Sequence, residues 1–274
     1  MIPAAFGYHR AASIAEALDL LAQGARVLAG GQSLLPALKA RTTHADLLVD
    51  IGHLADLDYI RDCGDYLAIG AATRHHRLAT DPLASARLPV LAAAAAEIAD
   101  PQVRHAGTIG GSLAHADPAA DLTLAGVALG ASVVLAQAGG ERVVALDGFA
   151  TGRHTTVCQP DEMVVEVRVP AVAGVMRWSY QKFHRDALEW AVVGVVALAG
   201  GAQAAVALSG MGPTVTRAHA VEAALAAGAG AAAAAGRAAE GTAPVDDLSA
   251  SVTYRRHLAA VLTRRALTQI GVPL

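Results

Sequence analysis

The chain has 274 residues, of which 54% are hydrophobic and 16% charged. That is ample to bury a sizeable core, so intrinsic disorder is excluded. A formal charge of −3, with no basic stripe and no aromatic-interleaved arginine run, argues against nucleic acid as a partner. Two cysteines, Cys63 and Cys158, are too few for an iron–sulfur cluster and form no CxxC pair, so the chain reads as a reduced, cytoplasmic protein.

The N-terminus lacks the apolar core of a signal peptide. Ser13 opens a capping box with Glu16, and IAEALDLLA follows with helical spacing. A strand over Arg26 to Ala29 enters the turn Gly30-Gly31-Gln32-Ser33. A short helix, LLPALKAR, and a strand, LLVDI, close this unit near Ile51. From Leu57 the texture changes to short strands, DYIRD and DYLAIG. Thr73 is then expected to cap a helix with His75 and His76 on a solvated face, and Leu88 to Ile98 reads as a second, alanine-rich helix.

A polar, glycine-containing stretch follows, DPQVRHAGTIGGSLAHADPAAD. It reads as a long loop, and a long loop inside an apolar chain is a candidate site. ASVVLAQAGGERVVAL predicts a hairpin around Gly139-Gly140, and MVVEVRVP a strand ended by Pro170. Beyond Ala171 come RWSYQKFHRDALEW, a hairpin around Gly200-Gly201, and an alanine-rich segment expected at the surface. RRHLAAVLTRRALTQI predicts an amphipathic helix with Leu258, Leu262 and Leu267 near one face and Arg264 and Arg265 off it. Ala191 to Thr216 carries no charge and has the length of a bilayer span. Gly200-Gly201, Gln203 and Pro213 interrupt it, so no membrane span is expected.

Two segments combine glycine pairs with hydroxyl side chains. In Leu28-Ala-Gly-Gly-Gln-Ser-Leu-Leu35 a strand runs through two glycines into a helix, an arrangement that lets backbone N–H groups approach an anion. It is neither GxGxxG nor a Walker motif; taken alone, a tight strand–helix turn is the better explanation. Thr108-Ile-Gly-Gly-Ser112 repeats the theme. Two such turns about eighty residues apart suggest a ligand with a diphosphate and many hydroxyls, and Asp121 would accept from a sugar hydroxyl unless it caps the helix after Pro118. His115-Ala-Asp117 has no third ligand nearby in sequence, so no metal site is expected. No GxSxG, HExxH or SxxK supports a hydrolase.

LAGGQSLLPALKAR, LLVDIGHLADLDYI, DPQVRHAGTIGGSLAHADPAADL and YQKFHRDALEWAVVGVV, in that order, resemble the FAD-binding medium subunits of molybdenum hydroxylases, the relatives of carbon monoxide dehydrogenase, xanthine dehydrogenase and aldehyde oxidase. The resemblance runs along nearly the whole chain. It implies an α+β fold of the vanillyl-alcohol-oxidase-like (PCMH-type) kind, with an N-terminal FAD-binding lobe at 1–52, a central lobe at 53–170 and a C-terminal domain of antiparallel sheet and helices at 171–274. It implies cofactor contacts from Leu28, Ala29, Gly30, Gly31, Gln32, Ser33, Leu34 and Leu35, and from Thr108, Ile109, Gly110, Gly111 and Ser112. Asp121 and Lys182 fall at FAD-contacting positions, and Ile98 and Trp190 where the family places side chains near the isoalloxazine ring. The chain departs from the family in Trp190, where others have an aliphatic residue or tyrosine, in Glu189 for Asp, and in Ser112 for Asn. Gln32 stands where some relatives of this fold carry a flavin-linking His, which implies noncovalent FAD.

By the same resemblance, the chain is an electron-transfer flavoprotein in a dehydrogenase. Its partners are a large molybdopterin-binding subunit, a small [2Fe–2S] subunit and an external electron acceptor. Lys182, one of two lysines, is the cation expected to tune the flavin. A stand-alone flavoprotein oxidase or reductase and a structural nucleotide-binding subunit remain as alternatives.

Overall fold

The computed structural model describes residues 2–171, 176–186, 188–200 and 204–274. The first fifty residues alternate strand and helix, and the result is a small parallel sheet, since parallel strands need crossover connections. β1 (Gly7–Arg10), β2 (Arg26–Leu28) and β3 (Leu47–Asp50) pair in the order β1-β3-β2, linked through α1 (Ile14–Ala22) and α2 (Leu34–Ala40). The expected capping box is present in a shifted form. Ser13 Oγ accepts from Glu16 N–H at 3.1 Å, and the Glu16 carboxylate accepts from Ala12 N–H, one residue earlier than the standard partner.

A five-stranded antiparallel sheet follows, ordered β4 (Ile60–Asp62), β5 (Tyr66–Gly70), β10 (Met163–Pro170), β6 (Ser132–Gln137) and β7 (Gly140–Ala145). A two-stranded ribbon, β8 (Ala150–Gly152) and β9 (Thr155–Thr156), lies between β7 and β10 in sequence. Six helices separate β5 from β6: α3 (His75–Thr80), α4 (Pro82–Arg87), α5 (Pro89–Ala96), α6 (Pro101–Ala106), α7 (Ile109–His115) and α8 (Asp121–Ala128).

The last third holds the sheet β11 (Arg177–Phe183), β12 (Val193–Ala199), β13 (Ala205–Ser209) and β14 (Thr216–Arg217), with α9 (His219–Ala226), α10 (Ala231–Ala235) and α11 (Val252–Gln269). The period of two along β12 divides its side chains between two cores. Val193, Val195 and Ala197 join Leu258, Leu262 and Leu267 of α11, whereas Val196 and Leu198 join Leu124 of α8 and the central helices. The C-terminal sheet is thus sandwiched between its own helices and α8, and this places β11 beside the central lobe.

The uncharged stretch 191–216 forms antiparallel β12 and β13, in register from Gly194↔Ser209 to Leu198↔Ala205. Gly201 of the expected turn lies outside the described residues. No helix among the described residues is long and apolar enough to cross a membrane.

Three expectations change. The stretch 100–121 is not a loop: Asp100 Oδ1 caps α6 by accepting from Val103 N–H at 2.8 Å, Pro101 sits in its first turn, and Thr108 Oγ1 caps α7 by accepting from Gly111 N–H at 3.1 Å. Thr73 does not cap α3. Arg74 holds that position, and the buried Thr73 hydroxyl donates to the Tyr59 carbonyl at 3.0 Å. The alanine-rich segment is not merely superficial, because Ala231, Ala234 and Ala235 of α10 are buried with α11. Small side chains there allow close helix approach.

Candidate functional site

The two glycine segments meet edge to edge. A Cβ added at Gly30 would stand 2.2 Å from the Ala106 carbonyl oxygen and 2.7 Å from Gly107 Cα, so only glycine fits this seam. Arg74 clamps the seam from the side. Its guanidinium donates to the Gly52 carbonyl at 2.6 Å and to the Ala106 carbonyl. Its backbone forms a bridge with Thr108.

Within the first segment, Gly31 takes φ +71°, a left-handed conformation that suits glycine. Leu28, Leu34 and Leu35 pack around Leu38, Ala45 and Leu48 and anchor both ends. The Ala29 carbonyl lies against Gly52. Gln32 Nε2 donates to the Gly30 carbonyl at 3.0 Å, and Ser33 makes no side-chain cap bond. Among the described residues, no protein acceptor serves the N–H groups of Gly30, Gly31, Gln32 and Ser33. Four consecutive loop donors without a protein acceptor form a cradle that fits a diphosphate.

The second segment is built differently. Ile109 N–H donates to the Thr73 carbonyl at 3.0 Å and Gly110 N–H to the Ala71 carbonyl at 2.9 Å, and the Ile109 side chain is buried in the core. These two residues dock α7 onto the chain after β5. Neither Gly110 nor Gly111 has positive φ. Gly110 is required because an added Cβ would lie 2.5 Å from Ala71 Cβ. Gly111 and Ser112 are the positions of this segment that remain at the surface.

A side-chain cluster joins the C-terminal sheet to the start of α8. Tyr180 and Lys182, two apart on β11, project to one face and meet Asp121 at the start of α8. Tyr180 Oη donates to Asp121 Oδ1 at 2.6 Å, and Lys182 Nζ donates to Asp121 Oδ2 at 2.9 Å and to the Glu97 carbonyl at 3.0 Å. The Lys182 and Asp121 side chains are only 6% and 4% exposed. Burial raises the Asp121 carboxyl above its ordinary range, opposed by the Lys182 ammonium and the Tyr180 hydroxyl. Burial and the adjacent carboxylate push the Tyr180 phenol far up, so it stays a proton donor. Glu97, Tyr180, Gln181, Lys182 and His184 line an open pocket here.

Ile98 is partly buried beside this cluster, and Arg104 fixes its turn by donating to the Ile98 and Ala99 carbonyls at 2.8 Å each. Trp190 stands 53% exposed on the loop before β12 and is not among the residues lining the pocket. Glu189 is likewise exposed.

Three residues that the sequence did not single out for the site prove to be placed in or beside it: Arg74, Tyr180 and His75. His75 was expected on a solvated face but is buried against Gly107, and its Nδ1 has no partner among the described residues. Burial, with Arg74 and Arg104 nearby, lowers its pKa to about 4. Nothing in the spacing of Arg74 or His75 marks them; Tyr180 lay two residues from Lys182, at strand period.

The family model described as "FAD binding domain in molybdopterin dehydrogenase" matches residues 4–172, and "CO dehydrogenase flavoprotein C-terminal domain" matches 178–270. The chain belongs to the family of FAD-binding medium subunits of molybdenum hydroxylases. It is 39% identical to the carbon monoxide dehydrogenase medium chain of Hydrogenophaga pseudoflava, with 97% of each chain covered. It is 37% identical to the 6-hydroxypseudooxynicotine dehydrogenase complex subunit alpha of Paenarthrobacter nicotinovorans, covering 98% of this chain and 95% of that one. Among solved structures, carbon monoxide dehydrogenase from Hydrogenophaga pseudoflava superposes with a TM-score of 0.93 at 39% identity, and quinoline 2-oxidoreductase from Pseudomonas putida 86 with 0.92 at 32%, each over 98% of both chains. The α+β architecture is therefore that of a medium-subunit FAD-binding fold followed by the flavoprotein C-terminal domain, and FAD is its cofactor. The relatives are subunits of molybdenum-containing oxidoreductases, and this chain is a flavoprotein of that class.

Proposed function

We propose that the chain is the FAD-carrying electron-transfer subunit of a cytoplasmic, heterotrimeric molybdenum hydroxylase, receiving electrons from the [2Fe–2S] clusters of a small partner and passing them to an external acceptor. The large partner binds the molybdopterin cofactor and carries the substrate chemistry. The glycine seam is the observation that supports this best: two segments about eighty residues apart abut at Gly30 and Ala106–Gly107 and leave four adjacent N–H donors free. We assign 1–52 and 53–170 as the two lobes meeting at this seam, and 171–274 as the domain supplying Lys182.

FAD, when bound, accepts electrons singly or in pairs, a property no side chain here provides. The chain's own residues bind and orient. The N–H groups of Gly30 to Ser33 would hold the diphosphate without any lysine, with the Ser33 and Ser112 hydroxyls adding polar contacts and Gly111 leaving room for the ligand. Lys182 does not act as a free cation. Asp121 neutralises it, so the pair offers the ring region N–H hydrogen bonds with little net charge. Ile98 and the Trp190 loop would border the ring.

FAD is held noncovalently in this reading, because Gln32 offers no nucleophilic imidazole. Acid precipitation of the purified protein should release the yellow colour to the supernatant; colour in the pellet would refute the noncovalent assignment. Reconstitution with and without the small subunit tests the electron path. Flavin reduction by the complex's substrate should require that subunit, and substrate oxidation by the isolated chain would favour a stand-alone oxidase or reductase.

A further inference from the structure

The sequence offered His115 and Asp117 without a third ligand, and the fold supplies one. His115 ends α7, and Ala116 turns the chain in a left-handed conformation, φ 50°, before Asp117. His154 occupies the turn between β8 and β9, also left-handed at φ 57°. Its backbone N–H donates to the Ala116 carbonyl at 3.0 Å, so the two turns are tied together. The rings of His115 and His154 stack with centroids 4.5 Å apart and planes 27° from parallel. One nitrogen of each ring and a carboxylate oxygen of Asp117 all lie within 4.8 Å of one another.

The hydrogen bonds around this trio leave a ligand atom free on His154 and on Asp117. His154 Nδ1 is 3.2 Å from the His115 carbonyl oxygen. A carbonyl only accepts, so Nδ1 carries the proton and Nε2 keeps its lone pair. Metal-bound imidazoles show this arrangement, with the remote N–H donated to a backbone carbonyl. Asp117 Oδ1 accepts from Ala119 N–H at 2.8 Å, which orients the carboxylate and leaves Oδ2 available.

We propose that His115, Asp117 and His154 form a site for one divalent transition-metal ion of the zinc class, with two imidazole nitrogens and one carboxylate oxygen as ligands and the remaining positions open to water. Ligands about 2.0–2.2 Å from a tetrahedral ion stand roughly 3.3 Å apart. The side chains therefore need to close by at most about 1.5 Å, which torsions of exposed and half-buried rings allow. An N₂O donor set favours zinc-like ions over magnesium and calcium, which prefer oxygen ligands. An ion here would pin the end of α7, the helix that begins at the second glycine segment, to the β8–β9 ribbon. The site stands independently of the flavin reading, because its test counts metal directly.

The full chain as purified, stripped with a chelator and dialysed, would be titrated with Zn²⁺ by calorimetry. One Zn²⁺ per chain should bind, undisplaced by a hundredfold excess of Mg²⁺. His154→Ala and Asp117→Asn should each weaken binding by at least about tenfold. His44→Ala, which removes an exposed histidine paired with Asp46, should leave it unchanged. Circular dichroism confirms that each variant is folded, and the Asp117 variant carries the test if the His154 variant is not. Absence of saturable 1:1 binding, or equal affinity in the folded His154 and Asp117 variants, overturns the proposal.

Discussion

The two sides of the proposed flavin site are built from different materials. The N-terminal side is backbone: Gly30 to Ser33 contribute N–H groups, with Gly30 required because a Cβ would strike Ala106 and Gly31 because its φ is +71°. The C-terminal side is side chain: Asp121, Tyr180 and Lys182 form a buried ion pair and phenol bond across elements about sixty residues apart. A backbone cradle fails through steric collision and a buried ion pair through desolvation, so the two sides should respond differently to substitution.

The largest effect is expected at the ion pair. Lys182→Met removes one partner and leaves a carboxylate that is 4% exposed with Tyr180 as its remaining side-chain donor. Breaking a buried pair in this way costs about 3–5 kcal/mol. Burial already raises the Asp121 pKa. In the variant, protonation relieves the unpaired charge, so stability should recover as pH falls rather than decline. Adding Asp121→Asn should restore much of the loss, giving a large coupling in a double-mutant cycle followed by urea denaturation. Additive losses would mean that the pair does not behave as a unit.

The backbone side should lose ligand rather than fold. Gly30→Val forces the seam apart by pressing a side chain onto a carbonyl oxygen 2.2 Å away. Losing two charge-assisted N–H contacts lowers FAD affinity by at least about two decades. The strain adds roughly 1–3 kcal/mol of destabilisation. Titration of FAD into folded apo-protein reads the first effect separately from the second. Parent-like affinity would place the diphosphate elsewhere.

The same division explains what could be read from sequence. The glycine pair after a strand, the hairpin around Gly139-Gly140 and the apolar stripe of α11 are local signals, and the structure contains each. The stretch around Gly110-Gly111 reads as a loop in sequence because its polar, glycine-rich composition masks the caps Asp100 and Thr108. Gly110 serves close contact with Ala71 and Gly111 close approach to Thr108 Oγ1, and neither adopts an unusual dihedral. Lys182 and Asp121 were marked by family resemblance, but their mutual bond, and with it the neutralised charge of Lys182, depends on how α8 crosses the C-terminal sheet. His154 joins His115 through the same kind of long-range packing.

His75 connects the fold to the backbone side through pH. It lies behind Gly107, and its pKa is lowered to about 4. The unfolded chain binds this proton near pH 6.5 and the folded chain does not, so stability is complete above pH 6.5 and falls as pH drops toward 4. Between pH 6.5 and 5 the loss is on the order of 2 kcal/mol. His75→Asn should flatten this part of a stability-against-pH curve while Arg74 and Arg104 remain. An unchanged slope would assign the acid sensitivity to another group.

The smallest effect separates glycine chemistry at the seam from glycine chemistry in general. Gly139 and Gly140 make an exposed hairpin turn, and an added Cβ at either meets nothing within 4 Å. They differ in backbone: Gly140 has φ +146°, and Gly139 has no positive φ. Gly139→Val should therefore change stability by less than about 0.5 kcal/mol. Gly140→Val should lose about 1–3 kcal/mol through backbone strain alone. Neither should alter FAD affinity, because the turn joins β6 to the edge strand β7, and β10 stands between that hairpin and β5, the strand that leads into Ala71, Thr73 and Arg74 beside the seam. Thermal melts combined with FAD titration of the two variants measure both quantities. Weakened FAD binding in a folded Gly140 variant would show that strain anywhere in the central sheet reaches the cofactor, and that the Gly30 result reports general damage rather than a lost cradle.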